Sequence, residues 1–352
     1  MKLINSYIRA IIYAYNLATF KEKEIPNLKF QDELYTGLEG QDTIVRVFYS
    51  NMNTSQNIII FPGASPYAEE HPGVLMLGHS LSKAGYNVYL PRIPDLKNLL
   101  LSKENVDWFA HCYSELVNNK IKNKKNIMIV GLSYGGATLL RASLDPKMQI
   151  YPPKSILAYG TYYSINTGLD FFMNGIINYK NKEYKIKPHE WGLIVMFYNF
   201  IRTIACDYNT ALIQEILFQR INDNFEVVDK KIELLNKKEK ILLTNILDGK
   251  LTKEMRLLIE QMIEKNKDIL SFLSPEVWSQ KISTKIFIMH GANDSMVPFT
   301  ESILLHNNLK NSELFISFLY EHREISTNKG FFFKLKEFTK LIKFNAKYIK
   351  YN

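Results

Sequence analysis

The sequence predicts an α/β fold: a mostly parallel, twisted sheet with helices on both faces, interrupted by an inserted helical cap. Three observations predict it. Short apolar runs rich in β-branched residues recur at 58–61, 87–90, 126–130 and 155–159, each closed by glycine, proline or polar residues. Segments with helical apolar spacing alternate with these runs. The alternation stops between residues 161 and 280 and resumes at 285–289 (KIFIM).

In order along the chain, residues 1–20 (MKLINSYIRAIIYAYNLATF) carry Ile4, Ile8, Ile11, Ile12 and Tyr15 at helical spacing. Asn5, Arg9 and Asn16 interrupt the stretch, so it suits neither a spanning helix nor a signal peptide. It is expected to be an amphipathic helix packing on the body of the protein, covering residues 1–24. A helix lying on a membrane surface is the alternative for residues 1–20. Two β-type runs follow at 28–34 and 43–49, then polar turn material at 51–57. Strand 58–61 stops at Pro62-Gly63. A helix over 71–85 closes at Gly85, strand 87–90 at Pro91, and 105–117 is helical again. Strand 126–130 (NIMIV) leads to Ser133, where another helix begins, and 155–159 (SILAY) is one more strand. Consecutive strand–helix–strand units imply right-handed crossovers.

Residues 161–280 read as the cap. Helices are expected at 191–206 and 210–220, a charged helical pair at 230–250 and 251–272, and a small exposed hairpin at 179–186. After strand 285–289 come a helix at 299–308, a last strand at 313–319 and a long amphipathic helix at 331–350. The core is then 25–160 plus 281–352.

The 352 residues are 46% hydrophobic and 13% aromatic, enough for a substantial core. The net charge of +9 comes from scattered lysines. No concentrated basic stripe or known module points to nucleic acid. Cys112 and Cys206 read as structural thiols, and no Cys/His cluster suggests a metal.

The strongest chemical signal is Gly131-Leu132-Ser133-Tyr134-Gly135-Gly136, between a buried strand and a helix. A turn this sharp strains the central residue and needs glycines where backbones crowd. It presents the serine hydroxyl at the edge of the sheet: a nucleophile elbow. A serine needs a base and an acid to orient that base. Asp294 lies in His290-Gly291-Ala292-Asn293-Asp294, just beyond strand 285–289. Asn293 beside it cannot carry the charge that stabilises an imidazolium. His322 follows the last strand, whereas His306 falls inside a helix. The order Ser133, Asp294, His322 fits an α/β nucleophile–acid–base set. Backbone N–H groups of Tyr134 and of Ala64, or Gly63 in its place, are the expected oxyanion donors. Gly63, Tyr162 and Tyr163 are expected at the substrate pocket. Pro62 has no N–H to offer. The triplet Glu69-Glu70-His71 lacks metalloprotease spacing, and Pro72 marks it as a helix start.

These pieces (GLSYGG, HGANDSMVP, the His322 loop and PGAS) resemble the α/β-hydrolase superfamily, near its esterases and lipases. The resemblance covers most of the chain outside the cap. Members usually carry His-Gly where this chain has Pro62-Gly63, and the HGGG signature of one branch is absent. The resemblance implies a serine hydrolase with no metal or organic cofactor; the apolar, aromatic cap points to a medium-sized, partly apolar small-molecule acyl substrate, and a cytoplasmic location is expected, with peripheral membrane association as the alternative. Acyl transfer through the same acyl-enzyme is the alternative. A non-catalytic binding protein on this scaffold is the third reading.

Overall fold

The computed structural model describes residues 2–52, 56–122, 124, 127–318 and 330–352. Among these residues, eight strands form the main sheet. In spatial order they are β1 (Gln31–Thr36), β2 (Asp42–Phe48), β4 (Asn87–Pro91), β3 (Asn57–Phe61), β5 (Ile127–Leu132), β6 (Ser155–Tyr159), β9 (Lys285–Gly291) and β10 (Ser312–Ser317). The β1–β2 and β2–β4 pairs are antiparallel, and all other pairs are parallel. The expected mostly parallel sheet is what the chain forms. The remaining strands, β7 (Ile176–Tyr179) and β8 (Lys182–Lys185), make the small hairpin.

The continuous apolar runs follow from burial on both faces of the sheet. Ile59, Phe61, Ile129, Ile156 and Ile288 pack on one face, against α4 (Glu104–Glu115) and α5 (Tyr134–Ala142). Their alternate neighbours Ile58, Ile60, Val88, Val130 and Phe287 pack on the other. That second face is covered by α2 (Pro72–Lys83) and α16 (Phe331–Tyr351). Outside α2 and α16 lies α1 (Lys2–Thr19). Two short turns of helix, α3 (Pro94–Lys97) and α6 (Pro146–Gln149), complete this half. Helix α2 opens with Pro72 in its first turn, and the His71 ring caps it, accepting from the Gly73 N–H at 3.1 Å. That bond gives His71 a structural role, and the neighbouring Glu69 binds Arg92.

Between β6 and β9, apart from the β7–β8 hairpin, the chain is mainly helical: α7 (Ile165–Asn174), α8 (Trp191–Phe200), α9 (Thr210–Ile221), α10 (Phe225–Ile232), α11 (Lys237–Leu247), α12 (Lys253–Lys265), α13 (Lys267–Leu273) and α14 (Pro275–Trp278). Leu193, Phe197, Ile216, Leu243, Ile259 and their neighbours form an apolar cluster of its own there. The single helix expected over 230–250 is broken. Asn236 accepts from the Glu239 N–H, and the Glu239 carboxylate accepts from the Asn236 N–H, both at 3.0 Å. This reciprocal cap starts α11 afresh. Helix α15 (Phe299–Asn308) follows β9.

One packing direction differs from expectation. Helix α1 docks on the body through Ser6, Ala10, Ala14 and Leu17, while Ile4, Ile8, Ile11 and Tyr15 face outward. Both cysteines are free, and burial raises both thiols above their ordinary range.

Candidate active site

Strands β3, β5, β6 and β9 are parallel neighbours, with Phe61 beside Gly131, Leu132 beside Tyr159 and Tyr159 beside Met289. Their C-terminal ends therefore meet at one edge, where open α/β sheets collect their site groups. The loops at 62–67, 160–164 and 292–298 and the turn at Ser133 all leave from this edge.

Ser133 links β5 to α5 with φ +51° and ψ −127°, a conformation that costs a non-glycine residue about 1–3 kcal/mol. The surroundings hold it there. Its N–H donates to the Tyr159 carbonyl at 2.7 Å, and its carbonyl accepts from the Gly136 N–H at 2.9 Å. Its half-buried hydroxyl has no hydrogen-bond partner among the described residues.

Close backbone approach explains the flanking glycines. A Cβ on Gly131 would stand 2.8 Å from the Gly135 carbonyl oxygen, and one on Gly135 would stand 1.9 Å from the Pro62 carbonyl oxygen. The elbow and the loop after β3 are thus pressed together, backbone on backbone. Gly135→Ala is expected to lower stability by about 3 kcal/mol or more, because neither backbone can give way as a side chain can. Urea unfolding would check it, and an unchanged midpoint would contradict the packing described here.

The same approach brings the Gly63 loop to the serine. A Cβ on Gly63 would lie 3.1 Å from the Ser133 Cβ and 3.7 Å from its Oγ. Tyr134 opens α5, where helix geometry leaves the amide without an intrahelical acceptor. The amides of Gly63 and Ala64 have no backbone acceptor among the described residues. The Tyr134 side chain points into the core, where its hydroxyl donates to Asn105 Oδ1 at 2.9 Å.

Tyr162 sits differently from its expected place at the pocket. Its ring is buried and stacks on Tyr134 at 6.2 Å between centroids, and its hydroxyl donates to the Leu273 carbonyl at 3.1 Å. That hydroxyl is held in the core and is not presented to a substrate. Tyr163 stays half-buried, its N–H bonded to Glu301 Oε2 at 3.0 Å.

Asp294 is buried at the end of β9. Its Oδ1 accepts from the N–H groups of Met296 and Val297 at 2.8 and 2.9 Å, which fixes the carboxylate in the loop. Its Oδ2 stands 3.4 Å from His290 Nε2. The buried His290 has Nε2 at 2.9 Å from the Val297 carbonyl and Nδ1 at 2.6 Å from Ser302 Oγ. Since a carbonyl can only accept, Nε2 carries a proton toward Val297. His322 lies outside the described residues.

Sequence reasoning missed His290 and Glu301. Buried Glu301 accepts from the N–H groups of Tyr163 and Ser164 at 3.0 and 2.9 Å, and from the Thr167 hydroxyl at 2.7 Å. It ties the start of the inserted segment to α15. In sequence it is one acid in a helix's first turn, which reads as an ordinary dipole partner. Burial raises its carboxyl above the usual 4.5, opposed by these hydrogen bonds and by His290. Glu301 therefore stabilises the fold most below that pH, and the contribution falls as pH rises through the raised value. Glu301→Ala, which orphans two buried N–H groups, is expected to cost roughly 2–4 kcal/mol. Glu301→Gln can still accept from both and should flatten the pH dependence. Urea titrations at acidic and neutral pH check both variants.

A groove of about 400 Å³ lies between α7, β7 and α15, lined by Thr167, Phe171, Ile177, Pro298 and Glu301 among others. Ser133, Gly63 and Asp294 are not among its lining residues, so it is separate from the elbow.

Residues 204–309 match the family described as BD-FAE, an α/β-hydrolase-type family. The match runs from the inserted helices through β9 and the Asp294 loop into α15. That match covers less than a third of the chain; the fold itself, by its sheet order and its strand-to-helix turn at Ser133, is of the α/β-hydrolase type. No curated protein matches the chain. Among solved structures, this α/β-hydrolase fold is similar to an esterase (EaEST) from Exiguobacterium antarcticum, at 15% identity and a TM-score of 0.47, covering 91% of this chain and 100% of that one. It is also similar to the serine hydrolase CCSP0084 from Cycloclasticus zankles, at 14% identity and a TM-score of 0.45, covering 90% and 97%. A third is the Pyrococcus horikoshii acylaminoacyl peptidase, at 9% identity and a TM-score of 0.44, covering 84% of this chain but 38% of the peptidase.

Proposed function

We propose that this α/β-hydrolase chain is a serine hydrolase that cleaves a carboxylic ester or related acyl bond through an acyl-enzyme on Ser133. The observation that carries the reading is Ser133 itself: a non-glycine residue held at φ +51° on a strand-to-helix turn, with the Gly63 loop pressed against it. Strain of this kind persists only where the surrounding structure imposes it, and it concentrates at functional sites.

In the proposed mechanism His322 removes the Ser133 proton as Oγ attacks the acyl carbonyl. The N–H groups of Tyr134 and Ala64 stabilise the oxyanion. Asp294, its carboxylate fixed by two backbone N–H bonds, orients His322 and stabilises its charged form. Collapse of the tetrahedral intermediate expels the alcohol, which takes the proton from His322. Water, activated by the same base, then releases the acid and regenerates Ser133. A fluorophosphonate probe followed by peptide mapping tests the reading. Label on the Ser133 peptide is expected, and folded protein that takes up none, or takes it up elsewhere, overturns it.

A further inference from the structure

Helix α1 is packed with its smaller side chains inward. Ala10 and Ala14 are fully buried and Ser6 nearly so, whereas Ile4, Ile8, Ile11 and Tyr15 are 67, 50, 48 and 64% exposed. Spacings of four, three and four residues place these four on one side of the helix, a stripe about 16 Å long. Ala18 and Thr19 extend it, Asn5 lies at its margin, and no acidic residue occurs anywhere in α1. Water is a poor medium for such a stripe, and the small inward residues show that the body of the protein does not need it for packing.

The neighbour of α1 supplies the second observation. Asn5, Ser6 and Arg9 share a cleft with Ile349, Lys350 and Asn352, so the start of α1 lies beside the end of α16, and the two helices pack together. On α16, Lys336, Lys340, Lys343, Lys347 and Lys350 are exposed, spaced alternately by four and three. They form one ridge opposite the buried Leu341, Phe344 and Tyr348. Among the described residues, two acids reach this ridge: Glu337, buried and bonded to Lys340, and Glu313, 3.1 Å from Lys347. Five lysines against two carboxylates leave the ridge positive. Among the described residues no helix is long and apolar enough to cross a membrane.

We infer that α1 and α16 together form a docking surface for an anionic lipid membrane, with the α1 stripe entering the headgroup–acyl boundary and the α16 lysines meeting lipid phosphates and carboxylates. An apolar helical face beside a basic one is the combination that interfacial binding requires. A second copy fits less well, because stripe-to-stripe contact would bring two positive ridges together.

The test is sedimentation of the full chain with vesicles of phosphatidylcholine alone or mixed with phosphatidylserine. Binding is expected to the mixed vesicles and to weaken with salt. The double variant Ile8→Glu with Ile11→Glu should lose at least about tenfold in affinity, as should Lys343→Glu with Lys350→Glu. These side chains face solvent, so folding and Ser133 labelling should be unchanged in both variants. Absence of vesicle binding, equal binding to neutral vesicles, or wild-type binding by either variant overturns the inference. So does a stripe-dependent dimer in sedimentation velocity without vesicle binding, which assigns the stripe to a second copy.

Discussion

Ser133→Ala is expected to abolish fluorophosphonate labelling and to lower turnover of a p-nitrophenyl ester by about 10⁴- to 10⁶-fold. The expectation follows from the proposed chemistry: without Oγ no acyl-enzyme can form, and only the oxyanion donors and substrate binding remain to accelerate hydrolysis. The fold should persist. The backbone at 133 is held by the bonds from Ser133 N–H to Tyr159 and from Gly136 N–H to Ser133, neither of which uses the hydroxyl. Alanine also tolerates the positive φ about as poorly as serine does, so the substitution adds little strain. A circular dichroism melt within a few degrees of wild type would establish that lost labelling means a lost nucleophile. Undiminished hydrolysis by the folded variant would remove Ser133 from the mechanism.

Asp294→Asn carries the second largest effect, a fall of about 10⁴-fold in kcat, as expected when a triad acid loses its charge and its partner imidazole is left in the wrong tautomer. The structure allows a near-isosteric swap. An asparagine oxygen can keep the bonds that Oδ1 receives from Met296 and Val297 at 2.8 and 2.9 Å. The amide then replaces Oδ2, 3.4 Å from His290 Nε2, where one donor faces another. Stability should fall modestly and activity steeply, while slow labelling of Ser133 persists. Asp294→Ala separates the two roles, since it also orphans two N–H groups and should cost roughly 2 kcal/mol or more in a urea titration. If Asp294→Asn retained full kcat, Asp294 would be only a loop brace, and the acid of the mechanism would have to be sought elsewhere.

Much of the core was legible in the sequence because its signals are local. A run such as Ile58 to Phe61 records burial on both faces, and both faces are indeed covered. The elbow is equally local: Gly131 and Gly135 are needed within a few residues of Ser133. Their contacts with each other could be anticipated from the motif, but the 1.9 Å approach of a Gly135 Cβ to the Pro62 carbonyl could not, since the two residues meet only when β3 pairs with β5. The break at Asn236 was legible in principle, as an Asn followed three residues later by Glu239, but the charged periodicity on either side hid it.

Tyr162, Glu301, His290 and α1 mark where sequence reasoning ends. The position of Tyr162 after β6 suggested the pocket, yet its ring turned toward Tyr134 and its hydroxyl found Leu273, far away in sequence. Glu301 and His290 look unremarkable in sequence because their partners lie in other elements. In α1, periodicity revealed that Ile4, Ile8, Ile11 and Tyr15 share a side, but hydropathy alone assigned that side to the interior. The structure reversed the assignment, because the small Ser6, Ala10 and Ala14 allow close approach to neighbouring helices. The sequence by itself determined which residues are strands, where the strained serine turn falls and which residues share a helical face. Only the tertiary structure decided which face is buried and which distant groups meet, since these depend on the shape of the surface each element packs against.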